Sequence, residues 1–199
     1  MSDRSSSRPA SSALFEPSLP WGAPRPFLSK DVVAQVATER WQRDAYFRLR
    51  RDIFEREQGL FSDSDVDAED AHATPIVALS QLAGMPDEVV GVVRVYRSEG
   101  DTWYGGRLGV ADRYRRVGAV GGALIHTAVC TAHAYGCTLF LATVQERNVR
   151  YFEHYAFRPL RRVDIQGRPH QLMQADLSSF PPCPKAAALL ATSRSTRAA

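Results

Sequence analysis

The stretch Arg115-Arg116-Val117-Gly118-Ala119-Val120-Gly121-Gly122-Ala123-Leu124 constrains this chain more than any other, because it joins a strand-like run ending at Val110 to a strongly helical segment. A strand that turns into a glycine-led helix start fixes a sharp corner. The first turn of a helix leaves backbone N–H groups unpaired at the positive end of its dipole, and glycines let an anion approach them closely. With Arg115 and Arg116 alongside, the corner reads as an anion site, and a pyrophosphate-bearing guest fits it. The plain alternative is a helix that packs tightly on a sheet because its start lacks side chains.

A chain of 199 residues with 44% hydrophobic content supports one sizeable core rather than two. The net charge of +3 comes without a lysine- or arginine-dense face, so nucleic acid is not an expected partner. No apolar run reaches membrane-spanning length and no hydrophobic signal core follows Met1-Ser2-Asp3, so a cytoplasmic location without membrane contact is expected. Cys130, Cys137 and Cys183 form neither an even disulfide framework nor a C-x-x-C pair, which predicts reduced thiols. Residues 1–26 and 178–199, rich in Ser, Pro, Ala and Arg, are expected to be disordered tails around a single domain at 27–177. Five prolines between Pro9 and Pro26 argue against an amphipathic transit helix at the start.

Within the domain, Val32, Val33 and Val36 suggest a strand, and Thr38 is placed to cap a helix whose apolar positions are Trp41, Ala45, Tyr46, Leu49 and Ile53. Arg48, Arg50 and Arg51 fall in its later turns, where cations suit the dipole. Strands are predicted over 76–82, 89–96 and 102–110, joined by Gly-containing turns as an antiparallel meander. The glycine-led helix runs from about Gly118 to Tyr135, and 138–143 reads as a buried strand reached by a parallel crossover. Asn148 then caps a short helix to Tyr155, before strands at 157–163 and 170–175. The predicted order is β-α-β-β-β-α-β-α-β-β.

That order and the glycine motif together resemble the GNAT superfamily of acyl-CoA-dependent N-acyltransferases, whose pyrophosphate loop reads [Gln/Arg]-x-x-Gly-x-[Gly/Ala] after the fourth strand. Arg115, Gly118 and Val120 stand at those three positions, and Val120 departs from the pattern by carrying a branched side chain. One strand downstream, Asn148 and Tyr151-Phe152-Glu153-His154-Tyr155-Ala156-Phe157 resemble the superfamily's closing segment, with Phe152 where many members have the tyrosine that protonates the departing thiolate. Upstream, Arg50-x-x-Ile53-Phe54 and Glu57-Gln58, an acidic stretch from Asp65 to Asp70, and Gly91-x-x-Arg94 are similar to a subgroup that includes bacterial acyl-homoserine lactone synthases. The chain also resembles GNAT domains of bacterial nitrogen-starvation, nitrilase-associated gene clusters. The resemblance spans roughly Val32 to Ala175. It implies a mixed α/β (α+β) fold: a mostly antiparallel central sheet of six or seven strands, splayed between strands 4 and 5, with helices on both faces.

The same resemblance implies acetyl-CoA, or another acyl-CoA, as co-substrate and a small-molecule primary amine as acceptor, attacked directly in a ternary complex by a monomer or homodimer. The pyrophosphate would sit on the N–H groups of Val117, Gly118, Ala119, Val120, Gly121 and Gly122, with Arg115 or Arg116 pairing to phosphate oxygens and Asn148 near the cofactor. Backbone N–H groups around Leu108 to Val110 would hold the thioester oxygen. Glu57, Glu69, Asp70 and His72 are the candidate bases, Tyr151 or Tyr155 a candidate acid in place of Phe152, and Arg94, Trp103 and Tyr104 the candidate acceptor-binding residues. The acidic stretch has a bland reading as a solvated loop and a functional one as an attractor for a cationic amine. It fails as a calcium loop, since Ala68 and Thr74 stand where glycine and a bidentate glutamate are needed. His126, Cys130 and His133 share a helix face, but three ligands on one straight helix converge poorly, and no metal is expected. Two other functions compete: a homoserine-lactone-synthase-like enzyme and a non-catalytic acyl-CoA-binding regulatory module.

Overall fold

A computed structural model describes residues 28–61, 63–117, 119–165 and 167–185. Gly118, the N-terminal tail and most of the C-terminal one lie outside the described residues. The elements run β1 (Val32–Val36), α1 (Arg40–Arg50), β2 (Thr74–Leu82), β3 (Met85–Arg97), β4 (Thr102–Val110), α2 (Val120–Ala134), β5 (Leu139–Gln145), α3 (Val149–His154), β6 (Phe157–Ile165) and β7 (Arg168–Ala175). They form one seven-stranded sheet in the order β1-β2-β3-β4-β5-β7-β6. Only β4 and β5 run parallel, joined by the α2 crossover, as expected from the sequence.

Strand alternation sorts the core into two layers. Ile76 and Ala78 of β2 face the larger cluster with Leu124, Ile125 and Val129 of α2, while Val77 and Leu79 face Tyr46 of α1. A strand covered on both sides reads as a continuous apolar run, which is why 76–79 shows no alternation. Helix α1 starts one residue later than the sequence suggests: Glu39, not Thr38, is its N-cap, in a reciprocal capping box with Gln42. Trp41, assigned to the apolar stripe, is 42% exposed. The helix then widens over Arg51–Glu57, where Gln58 N–H reaches back to Ile53 O at 3.0 Å. That five-residue reach is a π-helical turn, with no sequence signal of its own. Ile53 lies against Gly109, where a Cβ would stand 2.9 Å from its Cδ1.

The expected tail boundary at 178 is too early. Phe180 is buried at 3% exposure, and the Cys183 N–H donates to Cys130 O at 3.1 Å. No described helix is long and apolar enough to cross a membrane.

Asp65, Asp67 and Asp70 of the acidic stretch join Arg50 of α1 in one network, which corrects both the dipole reading of Arg50 and the solvated-loop reading of these three carboxylates. Arg50 is fully buried. Its Nε donates to Asp65 at 2.6 Å, Nη1 to Asp70 at 2.5 Å and Tyr46 at 3.1 Å, and Nη2 to Asp65 O at 2.9 Å and Asp70 at 3.0 Å. All five guanidinium donors are thereby met. Arg94 grips Asp67 with both terminal nitrogens at 2.6 and 2.7 Å and reaches Asp70 at 2.7 Å. Arg107 donates to Asp65 O at 3.0 and 2.9 Å and to Asp67 at 3.0 Å. Three arginines and three aspartates thus clamp the 58–73 connection onto the sheet.

Burial alone would raise the Asp70 carboxyl, but bonds from Arg50, the Asp67 N–H and Arg94 outweigh it and hold it at about 2 against an ordinary 3.8. A depressed folded-state value gives stability that is present above about pH 4 and lost as pH falls through about 2. Equilibrium unfolding in urea should therefore show a decline on the order of 2 kcal/mol across that window from this group. Arg50→Ala, which strips the buried Asp65 and Asp70 carboxylates of the arginine that joins them, should cost about 3–5 kcal/mol at neutral pH. A loss under 1 kcal/mol would show that the network does not hold the loop.

Candidate functional site

The β4–β5 ladder pairs Thr102 with Leu139 through Gly105 with Ala142 and then stops. Beyond Gly105 the two strands part, the predicted splay. On its other edge β4 carries a bulge: Val92 faces Gly109 and Arg94 faces Gly106, one residue fewer on β3 than on β4. Arg107 takes the extra position with φ +55, held there by Asp65 and Asp67. Ala111 N–H donates to Val90 O at 2.9 Å. Alternation along the strand then turns the Val110 N–H, and one pleat back that of Leu108, away from β3 and toward the opening.

On one side of the fork lies a cleft of about 560 Å³ that brings together Glu57, Leu108, Val110, Arg115, Ala119, Val120, Gly121, Asn148 and Tyr155. The first bond within the α2 turn runs from Ala123 N–H to Ala119 O, so the N–H groups of Val120, Gly121 and Gly122 have no acceptor inside the helix. Ala119 is left-handed at φ 64 and caps the helix without a side-chain bond. Several expected contacts fall outside this arrangement. Val117 N–H is taken by Tyr114 O at 3.1 Å, and Arg116, Val117 and Gly122 do not line the cleft. Gly118 lies outside the described residues. Gly121 and Gly122 make room for phenols instead of side chains: a Cβ on Gly121 would stand 2.6 Å from the Tyr151 hydroxyl, and one on Gly122 would strike the Tyr155 hydroxyl. The close-packing alternative therefore accounts for these two glycines, while the N–H groups of Val120 and Gly121 have no acceptor among the described residues. Burial, helped by the Tyr155 hydroxyl and opposed by the Gly122 N–H, pushes the Tyr151 phenol up.

Arg115 and Glu57, expected in separate roles, hold each other. Two bonds of 2.6 Å join them, and Arg115 Nε also donates to Val110 O at 3.0 Å. The Arg115 guanidinium holds the Glu57 carboxyl below its usual value, which weakens it as a base. It also sits in this cleft and not across the fork.

A second cleft of about 390 Å³ meets the first at Gln58, Leu108, Arg147, Asn148 and Phe152. Arg94, Tyr96, Tyr104, Arg107 and His170 line its walls. The Tyr96 and Tyr104 rings stack at 5.8 Å. Tyr104 and Arg94 thus lie where the acceptor was expected, although Arg94 is bound to Asp67 and Asp70. Trp103 does not: one position along the strand, it points to the opposite face, 7% exposed and packed on Tyr135. The expected bases are also misplaced. Asp70 is locked in the arginine network, and exposed His72 pairs with Glu69 at 2.9 Å outside the cleft lining.

Between the clefts a small apolar cavity of about 50 Å³ lies among Leu108, Ile125, Phe140, Phe152 and Phe157. Phe152 touches all three spaces and packs edge-on against Phe157 at 5.2 Å, so the junction holds an aromatic ring without a hydroxyl. Asn148 precedes α3 as expected but makes no side-chain cap bond. On the far face, burial pushes the Cys130 thiol up to about 11, and His133 Nδ1 donates to Phe180 O at 2.6 Å. No group of three His, Cys, Asp or Glu side chains among the described residues is placed to hold a metal.

Among the lining residues that sequence reasoning does not single out are Arg147 and His170. Arg147 borders both clefts and makes no ion pair among the described residues, its only sequence signal being its position before Asn148. His170 enters through the β6–β7 hairpin, opposite Gln145, and belongs to no motif.

The profile of the acetyltransferase (GNAT) family matches residues 36–157, more than half of the chain. A Lactobacillus plantarum protein assigned as an N-acetyltransferase shares the fold with a TM-score of 0.64 at 22% identity, over 72% of this chain and 97% of the other. For Escherichia coli ElaA the values are 0.61 and 21%, over 73% and 99%. The CoA-dependent acyl-homoserine lactone synthase BjaI, with SAM and isopentyl-CoA, gives 0.58 and 19%, over 80% and 86%. At these identities the likeness is one of fold. No curated protein matches the chain. From a forked seven-stranded sheet and a family profile that spans it from the end of β1 to the start of β6, the chain belongs to the GNAT family of acetyltransferases.

Proposed function

We propose that this protein transfers a short acyl group, acetyl in the simplest case, from acyl-CoA to the primary amine of a small molecule by direct attack within a ternary complex. The observation that carries the reading is the meeting of two clefts at Leu108, Asn148 and Phe152 where the sheet forks. One cleft suits the cofactor: unpaired N–H groups of Val120 and Gly121 face pyrophosphate, and Arg115 and Arg147 supply charge. The N–H groups of Leu108 and Val110 suit the thioester oxygen, and each such donor is worth on the order of 3 kcal/mol in a transition state. The other cleft suits the amine, with Tyr96 and Tyr104 as its apolar wall.

Acyl length follows from the cavity at the fork. A space of only about 50 Å³ bordered by Phe140 and Phe157 suits a short, apolar acyl group. Phe152 cannot give a proton, so Tyr155 is the proposed donor to the departing thiolate.

Release of CoA thiol from acetyl-CoA, screened over a panel of primary amines, tests the reading. Acetyl- and propionyl-CoA should react at least tenfold faster than hexanoyl-CoA, and a preference for the longer chain would overturn the short-acyl assignment. Binding of CoA with no thiol release for any amine would favour the regulatory module. Turnover only with an acylated carrier protein and S-adenosylmethionine would favour the synthase. Arg115→Ala should raise KM for acyl-CoA roughly tenfold, the equivalent of one lost charge-assisted bond, with little change in kcat; an unchanged KM would remove Arg115 from the cofactor site.

A further inference from the structure

We propose that His170 is the general base that takes the proton from the attacking amine. The inference rests on the transferase reading and adds the proton acceptor which that reading lacks.

His170 lies on β7, paired to Gln145 of β5 and Val163 of β6, and lines the acceptor cleft. Its Nδ1 stands 2.8 Å from Arg168 O. A carbonyl oxygen only accepts, so Nδ1 carries the proton and donates, and the neutral ring keeps its lone pair on Nε2. A backbone bond that fixes tautomer and ring orientation is what a base needs to meet a substrate proton repeatedly in one geometry.

The other groups of the cleft are disqualified by their bonds. Asp67 is shared by Arg94 and Arg107, and the Arg94 bond holds its carboxyl down. Arg147 is a cation, and burial pushes the Tyr96 phenol up. Tyr104 is stacked on Tyr96. From β6, Arg162 is bound to Glu146, and Asp164 accepts from Gly167 N–H at 2.8 Å. Histidine Nε2 is the neutral nitrogen base left in this set.

The step balances as follows. His170 Nε2 takes one proton from R–NH₃⁺, and the freed nitrogen pair forms the C–N bond while the carbonyl pair moves to oxygen. That pair returns as the C–S bond breaks and the electrons leave with sulfur. The amide nitrogen loses its second proton, which ends on the thiolate, and His170 passes the first to solvent. The sum is R–NH₃⁺ plus acyl-S-CoA giving the amide, CoA-SH and one proton.

The test compares wild type with H170Q, whose amide still donates to Arg168 O but offers no basic nitrogen. An alkylamine identified by the thiol-release screen serves as acceptor, with hydroxylamine, which is mostly unprotonated near neutral pH, as a second nucleophile. At neutral pH kcat/KM for the alkylamine should drop about a hundredfold or more in H170Q, and the gap to wild type should narrow as pH rises toward the amine's own pKa, where free amine no longer needs a base. Acetyl-CoA affinity should be unchanged and the deficit with hydroxylamine much smaller. A variant within threefold of wild type at neutral pH, or one that loses acetyl-CoA affinity as well, overturns the assignment while leaving transfer intact. Absence of turnover in the wild type would instead sink the transferase reading, and this assignment with it.

Discussion

The structure depends on a ladder that stops. A central sheet normally zips its strands along their length, because an unpaired N–H or C=O in the interior costs free energy comparable to a lost hydrogen bond. Here β4 and β5 part after Gly105 and Ala142, and something must hold them apart. Three devices do so from different directions. The bulge at Arg107 twists β4 away, the widened turn of Arg51–Glu57 seats Ile53 against Gly109, and Phe140, Phe152 and Phe157 pack as a wedge from the β5 side. The opened edge is then available to a substrate oxygen in place of a neighbouring strand.

The arginine–aspartate network serves that fork and not the surface. Arg107 can sit at φ +55 because Asp65 and Asp67 hold its guanidinium, and those aspartates are in turn fixed by Arg50 and Arg94. Removing a buried charge from such a set leaves its partners stranded, so the bulge, the 58–73 connection and the end of α1 are coupled in stability. The electrostatic consequence reaches the acceptor cleft. Carboxylates that look like a lure for a cationic amine are neutralised within the protein, and Arg147 remains as the lining cation without an ion pair among the described residues.

Much of this fold is legible in the sequence. β1 and β4 have the expected limits, the remaining strands and α2 fall within a few residues, and the parallel crossover follows from the long helix between two strand-like runs. Local pattern carries that information because each element must bury one face. The widened turn after α1 has no such signature, since its residues would suit an ordinary helix. A motif that marks backbone brings Leu108, Val110 and the start of α2 to one cleft, as the sequence leads one to expect. The site was not legible where long-range pairing decides the role of a charge. Glu57 meets Arg115 across 58 residues, Asp70 meets Arg50 across 20, and neither separation can be read from spacing. Trp103 and Tyr104 differ by one position on a strand, enough to send one to the core and the other to the cleft.

Phe152 and His170 together describe an asymmetry in the proton transfers. A thiol has a pKa near 8.5, so its thiolate leaves as a stable anion and needs little help from an acid. An alkylammonium group resembles lysine, with a pKa near 10.4, and is almost wholly protonated at neutral pH, so attack waits on a base. A site with an aromatic ring where a phenol would serve the first transfer, and a fixed imidazole beside the second, supplies help where the reaction needs more of it. On the proposed reading the apolar ring also adjoins the thioester, beside the hydrophobic floor of Ile125, Phe140 and Phe157. Hydrolysis is the competing fate of an activated acyl group, so an apolar surface at Phe152 and acceptance of the amine's proton at His170 both favour amide formation over hydrolysis.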